Sequence, residues 1–159
     1  MRVPVYLSAG SNLGDRSGYL AKARECLIRN SRIHWGRSSP VYETLPVGGT
    51  PQGLYLNAVW EIGTEMQPDE LLGCLDAIER ELGRTREVKN EPRTIDLDIL
   101  FFGDRVYETE SLTIPHPRLT QRYFVLKPLA DLAADYCHPV FNKSIAELLD
   151  DVIAHSATA

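Results

Sequence analysis

Asp96 and Asp98 are one residue apart in the run Ile95-Asp96-Leu97-Asp98-Ile99-Leu100-Phe101-Phe102. On a strand this spacing puts both carboxylates on one face, with Cα atoms about 6.5 Å apart. Two like charges so close call for a cation. Hard oxygen donors suit Mg²⁺, which takes one or two carboxylates and fills its shell with water and substrate phosphate. Taken alone, a D-x-D pair more often marks two acids facing solvent at the end of a sheet. The apolar neighbours favour the metal, because they bury the strand on both sides and make two casually placed acids costly.

Basic side chains lie close by in sequence. Arg93 stands just upstream, with Arg84 and Arg86 farther back, and each guanidinium offers a bidentate fork to phosphate. Arg80, Arg84, Arg86, Lys89 and Arg93 against Glu79, Glu81, Glu87 and Glu91 also describe an ordinary solvated loop, so the arginines gain meaning only beside the aspartates. His116 is held between Pro115 and Pro117, which keep the backbone extended and aim the ring, as a ligand contact or a structural turn would require. No Ser or Cys spacing offers it a nucleophile to activate. Tyr55 and Phe124 supply flat faces and Asn57 a paired amide, suited to a heterocycle or to a core and a turn. The turn Gly10-Ser11-Asn12-Leu13-Gly14 lacks the lysine and the spacing of a P-loop and reads as a structural strand-to-helix turn.

These residues need a scaffold. Residues 3–8 are β-branched and apolar and run into a turn at 10–15. Leu20, Ala23 and Leu27 form a helical stripe over 17–30, with Asp15 or Ser17 as the cap. Residues 33–42 predict a second strand interrupted by Gly36, and the Gly- and Pro-rich stretch 45–53 a long loop. Residues 55–61 alternate as a third strand. Pro68, Asp69 and Glu70 then open a second helix, with Leu71, Leu75, Ile78 and Leu82 on one face and Gly83 as its stop. Residues 84–93, polar and containing Pro92, predict an exposed loop.

Residues 96–102 read as a buried strand that returns through a hairpin at Gly103-Asp104 to residues 105–107. The remainder is less regular, apart from a terminal helix near 144–154. The order strand, helix, strand, strand, helix, strand matches the split βαβ arrangement. The expected fold is therefore α+β and ferredoxin-like, with helices on one face of a mainly antiparallel sheet, in one domain over residues 1–159.

Lys and Arg number 17 against 22 Asp and Glu, and the resulting net charge of -5 argues against a general binder of nucleic acid or anionic membrane. Apolar runs such as Ile99-Leu100-Phe101-Phe102 fall far short of the roughly 18 residues that span a bilayer. With no secretory pattern at the N-terminus, the cytoplasm is the expected compartment. Cys26, Cys74 and Cys137 are widely spaced, suggest neither disulfide nor zinc site, and are expected to be small buried hydrophobes.

Gly10-Ser11-Asn12-Leu13-Gly14, Tyr42-Glu43-Thr44, Tyr55-Leu56-Asn57, Pro92-Arg93-Thr94-Ile95-Asp96-Leu97-Asp98-Ile99-Leu100 and Pro115-His116-Pro117-Arg118 follow in the order found in one enzyme family. Over residues 3–140 the chain resembles the 6-hydroxymethyl-7,8-dihydropterin pyrophosphokinases, and the long string through the aspartates is far more specific than a D-x-D. The resemblance implies transfer of the β,γ-diphosphate of ATP to the hydroxymethyl group of the pterin, with release of AMP, in folate biosynthesis. It implies two Mg²⁺ ions held at Asp96 and Asp98, with Arg84 and Arg93 completing the catalytic set.

By the same resemblance, Thr44, Val47, Tyr55, Asn57 and Phe124 surround the pterin. Tyr55 and Phe124 would sandwich the ring, and Asn57 would bond its edge. Arg84, Arg93, His116 and Arg122 would meet the ATP phosphates, and Glu79, Ile99 and Thr113 would lie near the nucleoside. The chain departs from the family at Asn90-Glu91, where several members have an aromatic and a glycine, and at Ser111, which is basic in some. Its length suggests the stand-alone form, expected to work as a monomer on ATP and the pterin.

Such a reaction depends on positioning and charge neutralisation and needs no protein nucleophile, in keeping with the residues present. Two other readings are a nucleotide-binding module without turnover and a nucleotidyltransferase. Whether the triphosphate is cut, and at which bond, separates the three.

Overall fold

The computed structural model describes residues 3–12, 14–44, 54–83 and 94–158. The apolar alternation that begins at Val3 builds β1 (Val3–Ser11), the central strand of the main sheet. On one side it pairs with β4 (Tyr55–Thr64), and on the other with β5 (Asp96–Phe102). Two strands, β2 (Ile33–Ser38) and β3 (Tyr42–Thr44), share the far edge of β4, so the order is β2-β4-β1-β5 and every pair is antiparallel. The crossovers are α1 (Arg16–Arg29) and α2 (Pro68–Glu81). This is the α+β, ferredoxin-like arrangement expected from the element order.

Local chemistry explains the element ends. Asp15 Oδ1 accepts the Gly18 N–H at 3.1 Å and opens α1. Pro68 stands in the first turn of α2, where Glu70 Oε1 accepts the Gln67 N–H at 3.0 Å, and the positive φ of Gly83 ends the helix. At Gly36 the β2–β4 register slips, and a Cβ there would sit 2.6 Å from the Glu61 carbonyl oxygen. Only glycine allows that bulge.

Val5, Leu7 and Ala9 of β1 point to one face of the sheet, with Trp60 and Ile62 of β4 and Leu97, Ile99 and Phe102 of β5, and pack against Leu20, Ala23 and Leu27 of α1 and Leu71, Leu75 and Ile78 of α2. The opposite face carries Tyr6, Val59, Leu100 and Phe101. Leu100 and Phe101 both reach it because the β1–β5 register slips between Tyr6 and Leu7. This second face is covered by α3 (Tyr123–Ala133) and α4 (Ile145–Thr158), through Val125, Leu126, Leu129, Ile145 and Leu148.

Four local expectations change. Helices cover both faces of the sheet rather than one, because Val125, Leu126 and Leu129 give α3 a buried stripe that packs on the second face, a stripe interrupted in sequence by Pro128. The strand expected over 33–42 is two strands, parted where Ser39 turns inward, its N–H on the Val59 carbonyl at 2.8 Å and its Oγ accepting the Val59 N–H at 2.9 Å. After the turn at Gly103, β6 (Tyr107–Glu108) pairs with β7 (Thr113–Ile114) instead of returning along β5. Cys26 and Cys74 are half-buried and Cys137 is exposed, so none is the fully buried hydrophobe expected.

Candidate active site

One end of the second sheet face gathers several of the residues singled out above. In the register, Gly10 of β1 stands between Asp96 of β5 and Asn57 of β4, and Asn57 in turn faces Tyr42 of β3. Paired residues share a face, so these four form a row across the sheet, and Asp98, Ser8 and Val59 form a parallel one. Two strand spacings separate Asn57 from Asp96, about 10 Å. Gly10, buried between them, lets the β4 side chains come close: a Cβ there would lie 2.7 Å from Asn57 Oδ1 and 3.5 Å from the Tyr55 ring.

At the β4 end, Asn57 Nδ2 donates to Thr44 Oγ1, and Thr44 is the register partner of Tyr55. Amide, hydroxyl and aromatic ring thus lie side by side. Phe124 comes from the first turn of α3, with the Arg122 guanidinium 5.6 Å from its ring centroid.

At the β5 end, Asp96 and Asp98 are half-buried on the face opposite Leu97 and Ile99. Arg122 faces them. Burial and the neighbouring Arg118 lower its pKa, while Asp98 and Asp96 pull the other way, which sets guanidinium and both carboxylates within one field. His116 completes the group. Its N–H donates to the Leu100 carbonyl at 3.0 Å, tying the segment to β5, and its Nδ1 accepts the Arg118 N–H at 3.2 Å. Burial, then Arg122 and Arg118, push the imidazole down to about 4 against the pull of Asp96. The ring is therefore neutral at ordinary pH, and with Nδ1 accepting, its proton sits on Nε2 as a donor.

Glu79 and Ile99 lie deeper than a surface contact would need. Glu79 of α2 is 3% exposed, and its Oε2 accepts the Leu97 N–H at 2.7 Å, holding the peptide between the two aspartates. The Ile99 side chain is 3% exposed within the core, so any ligand contact falls to its main chain. Thr113 lies half-buried on β7, which packs beside β5, and Ser111 is exposed with its Oγ 3.4 Å from Thr109 Oγ1. Val47, Arg84 and Arg93 lie outside the described residues, as do Asn90 and Glu91.

Two contributors were not assigned roles from sequence. Arg118 holds the His116 tautomer through its amide and adds its charge to the cluster, and Gly10 leaves room for the Asn57 amide. The first could have been found from its place two residues after His116, the second from its partner across the sheet only in three dimensions.

As donors, Asp96 and Asp98 fit a hard divalent cation. Among the described residues no group of three or more His, Cys, Asp or Glu side chains is arranged to hold a metal, so these two carboxylates suit an ion that completes its shell with water and phosphate.

The arrangement sets two carboxylates, an arginine and a neutral histidine at one end, and an amide, a hydroxyl and an aromatic ring at the other. A family model described as 7,8-dihydro-6-hydroxymethylpterin-pyrophosphokinase matches residues 6–134. This chain belongs to that pyrophosphokinase family. It is 49% identical over 127 residues to the 2-amino-4-hydroxy-6-hydroxymethyldihydropteridine pyrophosphokinase of Bacillus subtilis (strain 168), covering 80% of this chain and 76% of the relative. The pyrophosphokinase of the same description from Aquifex aeolicus is 41% identical over 143 residues, covering 90% and 88%.

A longer relative, the folic acid synthesis protein fol1 of Pneumocystis carinii, is 42% identical over 152 residues, and the chain spans 95% of itself but only 20% of that protein. Among solved structures, a Plasmodium falciparum HPPK-DHPS with pteroate superposes with a TM-score of 0.80 at 16% identity, over 99% of this chain and 44% of that one. An HPPK-DHPS in complex with substrates gives 0.76 at 17%, over 99% and 45%. These structures share the pyrophosphokinase fold. No helix among the described residues is long and apolar enough to cross a membrane.

Proposed function

We propose that this chain transfers the β,γ-diphosphate of ATP to the hydroxymethyl group of 6-hydroxymethyl-7,8-dihydropterin, releasing AMP, in folate biosynthesis. Family membership supports the reaction, and one observation carries its assignment to this site: Asp96 and Asp98 share a sheet face with Gly10 and Asn57, which sets a phosphate end and a heterocycle end side by side across β1. Tyr55 and Phe124 stack on the pterin ring, with Asn57, Thr44 and Val47 at its edge. One Asn57 amide hydrogen goes to Thr44, so its second N–H and its carbonyl oxygen, beside Gly10, remain to pair with an acceptor and a donor on the ring edge.

Asp96 and Asp98 hold Mg²⁺, two ions, bound together with ATP. When bound, the metal neutralises the triphosphate and sharpens the acidity of the attacking hydroxyl. The chain's own residues orient that hydroxyl toward the β-phosphorus for in-line displacement, and none of them forms a covalent bond to phosphate. Neutral His116 donates from Nε2 to a phosphate oxygen without requiring a proton transfer. Arg122, with Arg84 and Arg93, takes up charge that grows on the leaving AMP and on the transferred group. Glu79 keeps the Leu97 peptide, and with it both aspartates, in place next to the nucleoside, which also meets Ile99 and Thr113. The protein acts as a single domain and a monomer in the cytoplasm, with neither nucleic acid nor membrane as partner.

Incubation with ATP, Mg²⁺ and the reduced pterin is expected to yield AMP and the pterin diphosphate in equal amounts. ADP or inorganic pyrophosphate as the product from ATP would overturn the assignment.

A further inference from the structure

Tyr42, Lys127 and Asp131 form a clasp between β3 and α3. The Tyr42 hydroxyl donates to Asp131 Oδ2, Lys127 Nζ lies 2.9 Å from Asp131 Oδ1, and the same Nζ sits 5.9 Å from the centre of the Tyr42 ring. Both oxygens of one carboxylate are thereby engaged, one from each element. On the sheet side, Tyr42 stands opposite Asn57, and β3 ends two residues later at Thr44. On the helix side, Phe124, Lys127 and Asp131 follow at i, i+3 and i+7 and share one stripe of α3, with Asp131 about 10 Å along the axis from Phe124.

The other stripe of α3, Val125, Leu126 and Leu129, is buried in the core. Core packing sets how deeply the helix sits on the sheet. The stripe that carries Phe124 meets β3 through polar contacts that can be removed without opening a cavity. A flat ring held between two faces needs about 3.5 Å on each side, so a shift of α3 by a fraction of that distance loosens the stack.

We propose that this clasp fixes the gap between the Thr44–Asn57 edge and the Phe124 ring, making Tyr42 and Asp131 positioning residues for the heterocycle. The inference rests on the pterin reading of the site. It predicts a selective effect, because Asp96, Asp98 and His116 stand on β5 and on the segment before α3, outside the helix that the clasp holds.

The test is Tyr42→Phe, which removes one hydroxyl and no bulk. Loss of that hydrogen bond is expected to raise the pterin KM and its directly measured dissociation constant about tenfold, with kcat and the KM for ATP within about twofold of wild type. A clasp that served stability alone would lower the melting temperature and leave this split unmoved. Asp131→Ala should give the same selective loss, and the double variant no more than the worse single one. Unchanged pterin affinity in Tyr42→Phe, or an equal loss for ATP, overturns the inference, and Tyr42→Phe decides it even if Asp131→Ala does not fold. Failure of the wild-type chain to bind the pterin would instead overturn the reading of the site, and is seen before any substitution is made.

Discussion

Asp98 and its neighbour in the register, Ser8, show how little of this site depends on bulk and how much on charge. Asp98→Asn keeps the shape and removes one of two facing carboxylates, so the chain is expected to melt no lower than wild type. Its turnover with Mg²⁺ should fall by about a thousand-fold, the scale of losing a preorganised charge at a reacting phosphate. AMP release and a thermal melt of the same sample check both halves, and near-normal turnover would remove the metal role from Asp98. His116 makes a prediction of a different kind. With its pKa at about 4 in the folded chain, against about 6.5 when unfolded, it stays neutral through the physiological range. The unfolded chain takes up its proton first as pH falls, so the stability that His116 contributes is whole above about 6.5 and drains away toward 4. His116→Gln should flatten that part of the stability–pH curve, measured by urea midpoints from pH 7 to pH 4.

At the scale of elements, the edge of β5 is where packing and chemistry meet. Leu97 offers its N–H outward, and the buried Glu79 carboxylate takes the place of a neighbouring strand. Glu79→Ala leaves that amide buried without this acceptor and is expected to cost about 1–3 kcal/mol, whereas Glu79→Gln keeps an acceptor oxygen and should recover part of it. Equal urea midpoints for Ala and Gln would show that the hydrogen bond contributes nothing. The bulge at Gly36 gives a second case. Its Cβ would meet backbone, 2.6 Å from the Glu61 oxygen, and backbone cannot swing aside as a side chain can. Gly36→Ala is expected to destabilise by about 1–3 kcal/mol through overpacking alone, with pterin and ATP affinities unchanged when measured below its melting point.

Across the whole molecule, two helices outside the βαββαβ unit turn a two-layer sandwich into three layers, and they do so on the face that carries the site. Leu148 of α4 is buried there beside Leu126, Leu129 and Phe101. Leu148→Ala is expected to cost about 2–5 kcal/mol, read from a denaturation midpoint, and to weaken the pterin end more than the phosphate end, because α4 backs α3. The sequence by itself determined the alternation of strands with two crossover helices, save for the break of the second strand into β2 and β3, the two carboxylates on one side of β5 and the apolar stripes of α1 and α2, since each follows from a period of two or 3.6 residues read locally. It also carried enough of a family pattern to propose residues for the site. Only the tertiary structure decided that Gly10 makes room for the Asn57 amide, that Arg122 shares one electrostatic field with the aspartates, and that Tyr42 is joined to Asp131. It also placed the proline-bearing helix that carries Phe124 on the second face of the sheet. Those are contacts between residues far apart in the chain. No local period encodes them, and they exist only once the register across β1, β4 and β5 and the second helical layer are both in place.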